Sequence, residues 1–363
     1  MRMEYPDYYE RFECIAGACT DSCCARWEID VDEESYYRYQ TVQGPFGDRI
    51  RGCLHTEEKV GEDGYPEYEW SFPLTPDRRC PFLNDEDLCD MYTALGHDKL
   101  PRTCREFPRG DACVGSYHQV DVALACPEAN RLIFEDLEHP IQYINRPEPT
   151  GVPALDRYCA GEAQPVEGED WGKLLDLLEE RNQLMEVLQD TSFPLKDRYG
   201  VLFQLASEYG VDASAENHDA LVDLIDRMEL LDERWTKVYD PVKRAMDQGF
   251  PCHFVLEGLA EWTGDPGSRP AEGTLDAAMV ESEKELVRFL VYLVFRYYID
   301  GYFENSLTGV YRLLLRGFHM MRLLLAALTE EQFLDAETRR DLYHVWSREV
   351  EHSPENFHLI KAG

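Results

Sequence analysis

The 363-residue chain is strongly acidic: 71 Asp and Glu residues against 36 Lys and Arg residues give a formal charge of −35. Such a charge repels nucleic-acid phosphates and anionic membrane surfaces, so we expect neither as a partner. The charge either attracts a basic protein partner or serves solubility alone, and composition by itself favours solubility. Hydrophobic residues make up 44% of the chain, which is enough for the core of a globular protein.

No stretch of the sequence has the pattern of a signal peptide or a membrane span. The first residues, MRMEYPDYYERFEC, contain no apolar run. The most apolar stretches, Phe289 to Phe295 and Leu313 to Leu328, are bracketed or interrupted by arginines, whereas a span needs about 20 predominantly apolar residues. We therefore expect a cytoplasmic protein whose twelve cysteines are metal ligands, redox groups or small apolar residues rather than disulfides.

Residues 1–135 predict a cysteine-cluster domain with little periodic structure. We expect short helices over Asp30 to Gln40 and over Asp87 to Leu95, the second ended by Gly96. One strand is expected within Gly61 to Pro76, where the segment Tyr-Glu-Trp-Ser-Phe alternates in polarity. Little regular structure implies a small core, and a bound metal is one way to compensate.

Residues 136–169 are rich in proline and glycine and predict a crossing segment, and residues 170–363 have the apolar period of helices. Two faces stand out: Trp171, Leu174, Leu175, Leu178, Met185 and Leu188 on one helix, and Leu221, Leu224, Ile225, Met228 and Leu231 on another. Two strongly apolar helices are expected near Ala277 to Tyr298 and Leu307 to Leu328. The sequence thus predicts a mainly α protein, in which an irregular cysteine-rich N-terminal domain that binds metal or an iron–sulfur cluster precedes an α-helical bundle.

Several residues predict where helices begin and where the chain loops. Pro194 suits a first turn, Asp240-Pro241 reads as an N-cap with a first-turn proline, and Ser353-Pro354 opens a last helix. Thr329 to Gln332 has the pattern of a capping box that begins a helix, and Gly264 to Gly273 predicts a loop.

Cysteines are the chemically informative residues, since four of them fall within eleven positions. The metal-ligand candidates are Cys14, Cys19, Cys23, Cys24, Cys80, Cys89, Cys104 and Cys126. No Cys-x-x-Cys knuckle of the kind common in structural zinc sites occurs, whereas Cys80 and Cys126 precede proline, as does the last cysteine of bacterial ferredoxin runs. The pattern favours an iron–sulfur cluster, most simply 4Fe-4S, with zinc as the alternative. It leaves open which four cysteines bind and whether there are one or two sites.

Other residues near these cysteines have weaker signals. Cys53, Cys113, Cys159 and Cys252 are as compatible with small buried side chains as with a role in binding. Arg105 adjoins Cys104 and is the candidate for binding a cofactor carboxylate. His97 and His118 are possible additional zinc ligands.

Four cysteine-containing motifs carry a resemblance to a known family: FECIAGACTDSCCARW (12–27), CPFLNDEDLCDMYTALG (80–96), TCREFPR (103–109) and ACP (125–127). They resemble the flagellin lysine-N-methylase (FliB-like) family, and the same signature is similar to that of a broader group of zinc- or iron-chelating proteins. The resemblance implies an enzyme that transfers methyl groups from S-adenosylmethionine to lysines of flagellin or another protein, with participation of a 4Fe-4S cluster. The alternative is a non-catalytic zinc- or iron-binding module, structural or redox-sensing.

The sequence restricts how such chemistry is performed. It has no Gly-x-Gly loop and no alternation of strands and helices, so a doubly wound cofactor-binding domain is not expected. The three-cysteine motif of radical enzymes is also missing, because Arg26 occupies the place of its third cysteine. A lysine, with a reference pKa of about 10.4, must lose its proton before it attacks a methyl group. No residue pattern identifies the catalytic base.

Overall fold

The computed structural model describes residues 2–60, 66–115, 117–146, 171–212, 218–247, 275–331 and 334–363. The chain divides into two compact units. The cysteine unit comprises Phe12–Gly110 and Cys126–Glu128, and the helical unit comprises Met1–Arg11, Asp111–Ala125 and Ala129–Gly363. The units therefore interleave along the chain, and they differ from a simple division at residue 135. Most of the predicted crossing segment lies outside the described residues.

Strands and short helices make up the first part of the described chain, and longer helices make up the rest. The strands are β1 Arg2–Pro6, β2 Ile29–Asp30, β3 His55–Val60, β4 Pro66–Phe72, β5 Arg109–Val114, β6 Tyr117–Val122 and β7 Tyr143–Arg146. The helices up to residue 208 are α1 Glu33–Thr41, α2 Gly44–Cys53, α3 Asp90–Leu95, α4 Arg102–Glu106, α5 Pro127–Ile133, α6 Trp171–Gln189 and α7 Leu195–Glu208. The later helices are α8 His218–Asp226, α9 Glu233–Asp247, α10 Leu275–Tyr297, α11 Asp300–Phe303, α12 Thr308–Glu331, α13 Ala336–Val350 and α14 Pro354–Lys361.

The cysteine unit is built on a small antiparallel sheet in the order β2-β4-β3. Its core contains the fully buried rings of Tyr39, Phe72 and Phe82, and four half-buried cysteines pack against this core. Asp32 connects two helices of the unit, because one carboxylate oxygen accepts from the Ser35 amide at 2.9 Å and the other from the Arg102 amide at 2.7 Å. A core of this size depends strongly on such polar anchors.

The helical unit combines a four-stranded sheet, in the order β5-β6-β1-β7, with a bundle. Strand β1 runs parallel to β6 and antiparallel to β7. In the bundle, α10 packs on α6 and α12, and the side chains of α10 and α12 are largely buried. Neither these two helices nor any other in the described part of the chain is long and apolar enough to cross a membrane. The expectation of a mainly α protein is confirmed.

Several predicted elements are confirmed with small shifts. Helix α1 extends one residue beyond the expected segment Asp30 to Gln40, and α3 falls within its expected segment. Strand β4 lies within Gly61 to Pro76, and Gly96 ends α3 with a φ of 82°. The two apolar helices are present as α10 and α12. Pro194 is the N-cap of α7, and Ser353 caps α14 through its hydroxyl, which accepts from the Asn356 amide at 3.0 Å.

Two predicted helix starts are wrong. Pro241 lies inside α9, which begins eight residues earlier at Glu233. The apolar face of Trp235, Tyr239 and Val242 is buried, and this packing outweighs the local signal of an Asp-Pro start. The expected capping box at Thr329 falls within α12, which continues to Glu331, and Gln332 lies outside the described residues. The cap of the next helix is Asp335, whose carboxylate accepts from the Thr338 amide at 2.8 Å.

The predicted apolar faces are correct only in part. Leu175 is 56% exposed, although the helical period places it beside buried Leu174 and Leu178. Met228 and Leu231 lie beyond the end of α8 at Asp226. The predicted loop Gly264 to Gly273 and the cysteines Cys159 and Cys252 lie outside the described residues.

A buried ion pair joins the sheet of the helical unit to its first long helix. The side chains of Arg181 on α6 and Glu4 on β1 are 0% and 2% exposed, and their charged groups meet at 2.6 Å. The same guanidinium donates to Gln119 at 2.6 Å and to the Tyr117 hydroxyl at 3.1 Å. A buried arginine with three side-chain partners on the sheet fixes the register between helix and sheet. Loss of Arg181 would leave the buried Glu4 carboxylate without a compensating charge.

We expect Arg181→Ala to lower the free energy of unfolding by about 3–5 kcal/mol, because it leaves the Glu4 carboxylate buried without its cation. Asp176→Ala, at an exposed position of the same helix, should change stability by no more than about 0.5 kcal/mol. Urea unfolding followed by circular dichroism measures both. An Arg181→Ala loss of under about 1 kcal/mol would mean that the network does not stabilise this packing.

Candidate metal centre

Backbone hydrogen bonds bring three of the predicted ligands together. The amide of Cys80 donates to the carbonyl oxygen of Cys24 at 2.7 Å, and Ala25 forms a β-bridge with Arg79. A second bridge joins Leu83 to Cys89. These contacts place segments that are more than fifty residues apart in sequence side by side, so Cys24, Cys80 and Cys89 share one part of the cysteine unit.

The N-terminal cysteine loop is held by short-range contacts of its own. The Cys19 thiol donates to the carbonyl oxygen of Asp21 at 3.1 Å, and the buried Asp21 carboxylate pairs with the Arg26 guanidinium. Arg26 has a φ of 77°, and its amide donates to the carbonyl of Arg78, which has a φ of 57°. Left-handed backbone at two non-glycine residues is costly, so the surrounding contacts must hold this loop in its conformation.

Cys24 is the electrostatic centre of the thiol cluster. A hydrogen bond with Cys23 lowers the pKa of Cys24 to about 7, and Ser22 and Arg79 act in the same direction against the effect of burial. The same hydrogen bond, together with burial, holds the pKa of Cys23 well above its ordinary value. Cys23 therefore donates to a Cys24 thiolate, and within this pair Cys24 ionises first.

Three further thiols feel the charge of Cys24. Burial raises the pKa of Cys80 to about 12, and Cys24, Cys89 and Cys53 add to the effect. Burial also raises the pKa of Cys104 and of Cys89, with electrostatic contributions from Cys24. Cys53, whose sequence signal is weak, thus belongs to the group, and its position at the end of α2 is not readable from cysteine spacing.

The structure relates the other predicted ligands less directly to Cys24. Cys14 is exposed, but its charge contributes to the raised pKa of Cys23. Cys19 is half-buried and Cys126 is buried within the same unit. Cys113 lies instead in the helical unit on strand β5, where its sulfur is 3.1 Å from Nδ1 of His118.

The arginines around Cys104 differ in what they contact. Arg102 pairs with Glu106 at 2.9 Å as an exposed ion pair. The Nε atom of Arg105 is buried and has no hydrogen-bond partner among the described residues. Arg79 is bonded to Asp87 at 2.7 Å and also lowers the pKa of Cys24. Of these three arginines, Arg105 is the one with a buried donor that has no partner among the described residues.

The donor set of the cysteine unit is chemically suited to a thiolate-bound group. Thiolates are the preferred ligands of iron–sulfur clusters and of structural zinc. Within the residues that the structure describes, no three Cys, His, Asp or Glu side chains already stand in an arrangement that could hold a metal ion.

The chain is similar in part to proteins that are named for lysine methylation. Residues 271–362 match the family model described as the FliB lysine N-methylase C-terminal domain. The match covers helices α10 to α14 and none of the cysteine motifs. No solved structure matches the chain.

Curated relatives match over 136 residues each. The chain is 29% identical to the lysine-N-methylase of Salmonella typhimurium, across 36% of this chain and 32% of the relative. It is 28% identical to the flagellar biosynthetic protein FliU of Salmonella muenchen, across 36% of this chain and 76% of that protein. The chain thus spans about a third of the length of the lysine-N-methylase that it matches.

We expect Cys24→Ala and Cys104→Ala to lower the metal content of anaerobically purified protein, because both thiols lie in the electrostatic cluster. Cys113→Ala should leave it unchanged, since this residue lies in the other unit. Elemental and sulfide analysis with electron paramagnetic resonance measures the content. Equal losses in all three variants would contradict the assignment of the site to the cysteine unit.

Proposed function

We propose that this chain, whose resemblance to the FliB-like flagellin lysine-N-methylase family the matches confirm, methylates lysine side chains of flagellin. The main support for this proposal is the match of residues 271–362 to the FliB lysine N-methylase C-terminal domain. Curated relatives named lysine-N-methylase and flagellar biosynthetic protein support the same substrate. The activity belongs to the class of protein-lysine methyltransferases.

The methyl donor in this proposal is S-adenosylmethionine, used together with an iron–sulfur cluster held by cysteines of the cysteine unit. The ligands would come from the eight predicted cysteines, with Cys24 and its electrostatic neighbours Cys23, Cys80, Cys89 and Cys104 as the best placed. When bound, such a cluster supplies iron to which the amine and carboxylate of the methyl donor can be chelated.

Within this scheme the chain's own residues bind and orient the donor. Arg105 offers a buried Nε donor without a partner in the described structure, and a guanidinium is well suited to a carboxylate. Its neighbour Arg102 already pairs with Glu106. Arg105 would therefore hold the carboxylate of S-adenosylmethionine.

The decisive assay combines cofactor binding with methylation. Anaerobically reconstituted protein should bind S-adenosylmethionine in calorimetry and add methyl groups to lysines of flagellin, as read by mass spectrometry. Cys23→Ala should abolish both, and Cys113→Ala should retain both. Absence of methyl transfer and of cofactor binding by the cluster-loaded protein would leave a non-catalytic metal-binding or redox-sensing module.

Arg105→Ala should weaken S-adenosylmethionine binding about thirtyfold, which corresponds to the loss of about 2 kcal/mol for a hydrogen bond to a charged group. Arg102→Ala is the matched control on the same short helix and should leave the affinity unchanged. Titration calorimetry on both variants, at equal cluster content, makes the comparison. Equal affinities would remove Arg105 from the cofactor site.

A further inference from the structure

A cavity of about 510 Å³ opens in the helical unit between the C-terminal half of α6 and the chain around β7. Among the described residues, its lining contains the carboxylates of Glu4, Glu186 and Asp190 and no lysine, arginine or histidine. The apolar side chains of Pro140, Ile141 and Met185 form other parts of its wall. The volume falls within the usual range of small-ligand sites.

The two carboxylates at the rim differ in their local partners, because Asp190 accepts from the Ser192 amide at 2.8 Å and has a pKa that Ser192 and Arg198 lower. Glu186 and Asp190 stand four positions apart and are exposed, and like charges at this spacing repel. They also lie at the C-terminal end of α6, where the helix dipole is negative and where the last turn contains no basic residue. Among the described residues, Glu186 has no ion-pair partner.

The interior of the cavity adds hydrogen-bonding groups. Tyr143 lines it, and its hydroxyl is buried without a hydrogen-bond partner in the described part of the chain. The amide oxygen of Gln189 is already used by the Ile141 amide at 2.8 Å, and Glu4 is neutralised by Arg181. Among the lining carboxylates of the described residues, Glu186 at the mouth is therefore the one whose charge has no partner, and Tyr143 is the lining residue with an unused hydroxyl.

We infer that this cavity binds a protonated lysine side chain of the protein substrate. The carboxylates and the helix end attract the ammonium group, while Pro140, Ile141 and Met185 suit its four-carbon stem. S-Adenosylmethionine fits less well, because its carboxylate would meet the same negative charges without a cation. The identity of the partner as flagellin rests on the proposed function.

The chemistry assigns the cavity to recognition rather than to methyl transfer. Carboxylates stabilise the ammonium form and so raise the pKa of a bound lysine, whereas methyl transfer needs the neutral amine. The cavity therefore docks a lysine other than the one that reacts. Loss of its charge should raise KM for flagellin and leave kcat unchanged.

The test uses the full chain and a short serine-rich peptide that carries lysines, compared with the same peptide carrying norleucine. Binding of the lysine peptide should be about three- to tenfold weaker for the double variant Glu186→Gln/Asp190→Asn. Glu179→Gln, an exposed carboxylate on the same helix outside the cavity, should bind as wild type. Circular dichroism of the double variant should match that of the wild type, since the asparagine oxygen can still accept from the Ser192 amide as Asp190 does.

Each outcome separates this inference from the proposed methylation. Equal affinity for the lysine and norleucine peptides, or unchanged affinity in the double variant, would overturn the inference even if flagellin is methylated. Weaker binding of S-adenosylmethionine alone would assign the cavity to the cofactor and overturn it likewise. A lysine-dependent loss in the double variant supports the inference even if no methyl transfer is found.

Discussion

Burial of ionisable thiols is the constraint on which the cysteine unit depends. Cys24 ionises first, and its charge adds to burial in raising the pKa of Cys80, Cys89 and Cys104. Without a cation these thiols remain protonated and pack against the aromatic core as small apolar groups. A cation among these thiols would lower their pKa values, because the shared positive charge stabilises each thiolate. Under the proposed function, ionisation of these thiols and binding of the cluster would therefore be coupled.

How much of the fold and of the candidate site can be predicted from the sequence depends on how far apart in sequence the interacting residues are. Local patterns located α10, α12 and the Ser353 cap, because apolar period and capping act within a few residues. The parallel pairing of residues 2–4 with 117–119 was not predictable, since it joins segments more than a hundred residues apart. The same limit applies to the site: spacing grouped the cysteines of the first loop, but only the fold shows that Cys53 joins them and that Cys113 does not.

The surplus of negative charge is not distributed evenly between interior and surface. Several buried carboxylates of the helical unit have arginine partners, as Glu4 has Arg181 and Glu285 has Arg339, at 2.6 and 2.8 Å. Burial without a partner would cost several kcal/mol per charge, so pairing is required there. Carboxylates that have no partner inside the protein must therefore lie toward solvent, as Glu186 does. Acidity of this kind serves solubility, and at a concave position it also selects cations.

The position of the family match bears on where the chemistry should be sought. The matched helices contain buried ion pairs such as Glu285 with Arg339, together with extensive apolar packing. Such features explain why these helices fold, but they do not identify groups that handle a methyl donor. The thiols and Arg105 lie in the cysteine unit, outside the matched residues. A match over the helical bundle is therefore evidence of kinship alone, and the mechanism proposed for the chain has to be tested on the residues of the cysteine unit.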